Sequence, residues 1–124
     1  MGPGGSQEAP FDLRASVPAG TYHVECDAVI IAAVDVTFTL IWRRSGANDI
    51  AVAQWMRHWD PLPGGSFDAQ AYEVDMTGAA IAFQAGDQLV FRYAGANTTT
   101  AEAFIPNGDG AITHGRIPSI TLPR

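Results

Sequence analysis

The segment Val34 to Arg43 constrains the fold more than any other part of the chain. Val34, Val36, Phe38, Leu40 and Trp42 recur at every second position, with Asp35, Thr37, Thr39 and Arg43 on the opposite phase. An extended strand sends alternate side chains to opposite faces, whereas a helix would scatter these five around its circumference. The pattern predicts a strand with one buried face. Such a face needs a second layer to cover it.

The same period recurs along the chain, with turn residues between the runs. Phe11 to Val17 is predicted as a first strand, with Phe11, Leu13 and Ala15 on one face, and Pro18-Ala19-Gly20 turns the chain. Thr21 to Asp27 follows, with Tyr22, Val24 and Cys26 inward and Thr21, His23 and Glu25 outward. Ser45 to Asp49 reads as a hairpin loop and Ile50 to Asp60 as the returning strand. Pro61 to Ser66 cannot continue a ladder. Further strands are predicted over Gln70 to Met76, Gln88 to Ala94, Thr100 to Ile105 and Arg116 to Leu122, with a short one around Ile81 and Phe83. Pro118 makes the last an edge strand. The expectation is an all-β, antiparallel, jelly-roll-like β-sandwich of about eight strands.

A chain of 124 residues suits one domain. Residues 1–9 are expected to be a flexible leader or cloning remnant, and 10–124 the sandwich. The start lacks a basic region followed by an apolar one, so no signal peptide is read there. A secreted or cell-surface location is favoured if a leader was removed. The longest apolar run, Ala28 to Val34, is strand-sized, well short of the roughly 18 residues that span a bilayer. The net charge of −6, with all seven basic residues Arg, argues against nucleic acid, because phosphate binding draws on clustered cations. Cys26 is the only cysteine, which excludes an intrachain disulfide and a cysteine-cluster zinc site.

Three segments, PAGTYHVEC at Pro18 to Cys26, DVTFTLIWRR at Asp35 to Arg44 and FQAGDQLVFRY at Phe83 to Tyr93, resemble jelly-roll modules. The matching residues are Gly20, Tyr22, Gly86 and Asp87. The likeness is to the globular heads of the complement and tumour-necrosis-factor-like group, and to carbohydrate-binding jelly rolls. The first resemblance implies a trimer and the second implies glycan binding.

The candidate ligand-binding residues are Trp55, Arg57, His58, Trp59 and Asp60. Trp55, Arg57 and Trp59 share one face of their strand; Gln54, Met56, His58 and Asp60 share the other. Exposed Trp and Arg stack on sugars or anchor protein interfaces. The tryptophan phase also carries Ala51 and Ala53, which favours its burial, and His58 and Asp60 would then face outward. His23 with Glu25, and His58 with Asp60, each place an imidazole and a carboxylate on one strand face, a start for a metal site. Asn107 and Asp109, in Asn107-Gly108-Asp109-Gly110, offer oxygen ligands for Ca²⁺; the same residues also make good hairpin-turn chemistry. No G-x-S-x-G elbow occurs, and none of His23, His58 and His114 sits in a catalytic pattern. The expected function is therefore a non-catalytic module without a required cofactor, binding a glycan or protein. The alternative is a homo-oligomeric structural module using apolar faces such as Val29 to Ala33.

Overall fold

A computed structural model describes residues 4–65, 68–100, 103–106 and 119–124. Among these the chain forms eight strands and no α-helix: β1 (Ser6–Asp12), β2 (Gly20–Ile30), β3 (Val34–Arg43), β4 (Ile50–Trp59), β5 (Gln70–Gly78), β6 (Gln88–Ala96), β7 (Phe104–Pro106) and β8 (Ser119–Thr121). All pairings are antiparallel. One sheet runs β1-β6-β3-β4 and the other β5-β2-β7, with β8 also on β2. β7 pairs with Ala28–Ile30 and β8 with His23–Glu25, so these two short strands lie end to end along one edge of β2. Outside the β3–β4 hairpin and the β7–β8 segment, successive strands cross between sheets. The result is the expected antiparallel β-sandwich.

The alternation in β3 explains why the layers close. Val34, Val36, Phe38 and Leu40 are fully buried, facing Tyr22, Val24, Cys26 and Ala28 of β2 across the core. Phe38 is the hub, with six aromatic rings at centroid distances of 5.4–6.5 Å: Trp55, Trp59, Tyr72, Phe91, Tyr93 and Phe104. Offset and edge-on pairs at such distances add to the stabilisation that burial provides. The register slips between Leu40 and Ile41 against β4, a bulge that lets Val52 be buried beside the inward residues that follow it.

The first strand differs from the sequence reading. It spans Ser6–Asp12 rather than Phe11 to Val17, and pairs with β6 from Ser6↔Ala94 to Asp12↔Gln88. Residues 6–9 thus belong to a sheet and not to the expected leader. The backbone ladder, not an alternating pattern, orders this segment, and Pro10 is accommodated because β1 is an edge strand. Leu13 remains half-buried, Ala15 is exposed, and Val17 forms only a bridge to Ile81 in place of the short strand expected there. β7 begins at Phe104 rather than Thr100; residues 116–118 of the last predicted strand lie outside the described residues.

Gly86 and Asp87 hold one end of the sandwich. Gly86 adopts a positive φ of 91°, which turns the chain into β6. The Asp87 carboxylate is buried and accepts bonds from Trp42 Nε1 (2.9 Å), Ser45 N (2.9 Å) and Gln84 N (3.0 Å). The Ser45 amide first, then the Trp42 indole, keep its carboxyl below the usual carboxylate range.

Candidate binding site at the β4–β5 edge

β4 is the last strand of its sheet and β5 the last of the other, and the chain passes from one to the other along the same side of the sandwich. They touch through the bond from Ala79 N to Val52 O (3.1 Å). Farther along, the inward residues Trp55 and Arg57 of β4 and Tyr72, Val74 and Met76 of β5 are only half-buried. These facing side chains, on the last strand of each sheet, are partly within reach of solvent.

The five candidate ligand residues divide by strand phase. Trp55, Arg57 and Trp59 face inward, as the more apolar phase predicts; His58 and Asp60 face outward. Trp59 is 1% exposed, so its ring faces belong to the core. Trp55 stacks on Phe38 and donates its indole N–H to the Tyr72 hydroxyl at 3.0 Å. The Arg57 guanidinium lies over the Trp59 ring at 3.8 Å and the Tyr72 ring at 4.6 Å. A cation over two aromatic faces is attracted by their quadrupoles.

That stacking leaves hydrogen bonds unmade. Among the described residues, Arg57 Nη1 and Trp59 Nε1 are buried donors without an acceptor. A buried donor left unpaired costs about 1–3 kcal/mol, and more when it carries charge. Both donors lie in one aromatic setting beside the last strands of the two sheets. The sequence located Arg57 between the tryptophans; it could not show that Tyr72 of β5 closes the other side.

The outward residues form a different arrangement. His58 Nδ1 lies 2.6 Å from Asp35 Oδ1, directly across the ladder, and Nε2 lies 3.0 Å from Asp60 Oδ1. Asp35 also accepts from the Asn97 side chain. Asn97, then His58, lower the Asp35 carboxyl; Asp35, then Asp60, raise the imidazole above its ordinary value. A second copy of this device sits on the other sheet: His23 Nδ1 is 2.6 Å from Asp75 Oδ1, and Nε2 is 3.2 Å from Glu25 Oε1. Asp75, then Glu25, raise His23 in the same way. Both i, i+2 pairs read from the sequence are thus formed, and each gains a cross-strand acid that only the register reveals. Asn107 and Asp109, the candidate Ca²⁺ ligands, lie outside the described residues.

The fold places the chain among all-β sandwich domains. Compared with protein-family models, with curated proteins and with solved structures, it matches none of them. No helix among the described residues is long and apolar enough to cross a membrane.

Proposed function

We propose that this domain is a non-catalytic binding module that takes a carboxylate-bearing group of a glycan or protein at the β4–β5 edge. The observation that carries the reading is the pair of buried donors, Arg57 Nη1 and Trp59 Nε1, without an acceptor among the described residues. A carboxylate brought to this edge pairs with the half-buried Arg57 guanidinium, and charge-assisted bonds of this kind are the strong ones. Because Trp59 is buried, recognition rests on these donors, with the half-buried Trp55 and Tyr72 offering the apolar border.

Arg57→Met tests this reading, since it keeps the stem that covers Trp59 and removes the donors. Replacing a buried charge with an apolar side chain is often neutral or stabilising, so the variant is expected to melt at or above the wild-type temperature. Binding of glucuronate-terminated oligosaccharides or of an aspartate-rich peptide is expected to weaken about tenfold or more. Neutral oligosaccharides bound equally by both proteins, with no acidic ligand preferred, would refute it.

A second reading, self-assembly, is favoured by the β4 edge. Among the described residues β4 pairs only with β3, and Met56 on its outer face is 66% exposed. An unguarded edge of this length can pair with another copy. Of the apolar segment Val29 to Ala33, Val29 and Ile30 are buried while Ile31 and Ala33 are exposed. Light scattering on a sizing column separates the readings: a monomer at micromolar concentration excludes the assembly.

A further inference from the structure

We propose that the outer face of β2 and β5 carries a divalent-cation site formed by His23, Glu25 and Glu73, with Asp75 orienting the imidazole. The ladder sets His23 directly opposite Asp75 and Glu25 directly opposite Glu73. The four side chains thus occupy the corners of a square on two paired strands. One ligand atom from each of His23, Glu25 and Glu73 lies within 4.8 Å of the others. Zinc holds nitrogen and oxygen ligands at about 2.0–2.2 Å, which sets them roughly 3–3.5 Å apart. Closing that difference takes rotation of the Glu25 and Glu73 side chains out of the interactions they make without metal.

The state of His23 points the same way. Its Nδ1 is 2.6 Å from Asp75 Oδ1, so the proton sits on Nδ1 and the carboxylate accepts it. This carboxylate–histidine pairing fixes the tautomer and turns the other nitrogen toward a metal. Nε2 is the nitrogen left to ligate, 3.2 Å from Glu25 Oε1. A proton on Nε2 bridges this pair in the metal-free protein, and a bound metal ion would displace it. Ser119 of β8 donates to Glu25 Oε2 at 3.5 Å and orients that carboxylate.

His58 provides the contrast within the same molecule. It has the same 2.6 Å bond from Nδ1, to Asp35, and an acid two residues on. The β3–β4 ladder, however, ends at Val34↔Trp59, so no paired acid stands opposite Asp60. Both imidazoles bridge two carboxylates; among the described residues His23 also has a third, Glu73, within reach. An imidazole with two carboxylates suits Zn²⁺ among the abundant divalent ions. The site is on an outer face, away from Arg57, and does not depend on the function proposed above.

The full chain, stripped with chelator, is titrated with Zn²⁺ by calorimetry and thermal melting. Saturable binding of one ion and a higher melting temperature are expected; at a hundredfold excess over Kd the unfolding constant falls about a hundredfold. Glu73→Gln is expected to weaken Zn²⁺ binding at least tenfold and Asp75→Asn by about 10–100-fold, with His58→Gln unchanged. Absence of binding at millimolar Zn²⁺ overturns the proposal, as does binding that survives Glu73→Gln or is lost in His58→Gln.

Discussion

At the residue scale, charge is placed by register. Glu8 of β1 receives two bonds from Arg43 of β3, at 3.0 and 3.0 Å, and two from Arg92 of β6, at 3.0 and 2.7 Å. Arg43, then Arg92, hold the Glu8 carboxyl down to about 2. Its folded value lies below its unfolded one, so the stabilisation is present above the unfolded value of about 4.3 and is lost as pH falls through about 2. Glu8→Gln is expected to cost about 1 kcal/mol at pH 7, allowing for solvent screening at a side chain 32% exposed, and nothing near pH 2. Denaturant unfolding at the two pH values measures the difference. His58 behaves oppositely. Asp35, Asp60 and Asn97 face or brace it, and its folded value is raised. Its contribution is complete below about 6.5 and fades as pH rises through the folded value. Melting temperatures of wild type and His58→Gln are expected to differ at pH 5.5 and converge by pH 9.

At the scale of elements, legibility followed the hydrophobic pattern. β2, β3, β4, β5 and β6 each expose the alternation that burial on one face imposes, and Val34 to Trp42 showed it most completely. β1 was missed because Gln7, Glu8 and Pro10 carry no such pattern; pairing with β6 alone makes them a strand. The i, i+2 pairs at His23 and His58 were readable from one strand. Asp75 and Asp35 were not, because they join their histidines only through cross-strand register. Gly78 had a similarly hidden role. A Cβ there would lie 2.5 Å from Tyr22 Cε1, in a buried ring whose hydroxyl donates to Ala79 O. Gly78→Ala is expected to cost about 1–3 kcal/mol, seen as a lower denaturant midpoint with an unchanged slope.

At the scale of the molecule, one aromatic core joins both sheets, and the candidate site is its margin. Phe38→Ala is expected to cost about 3–5 kcal/mol, because the cavity would open among six rings that cannot all move inward. Arg57 lies where that core meets solvent, which joins the fold to the proposed function. The three indole N–H groups report on this point directly. Trp42 donates to Asp87 and Trp55 to Tyr72, while Trp59 has no acceptor among the described residues. In a ¹H–¹⁵N spectrum titrated with a glucuronate-terminated oligosaccharide, the Trp59 indole resonance is expected to shift saturably while that of Trp42 stays in place. A Trp59 resonance unmoved at saturating ligand, or one that moves identically in Arg57→Met, would contradict the account.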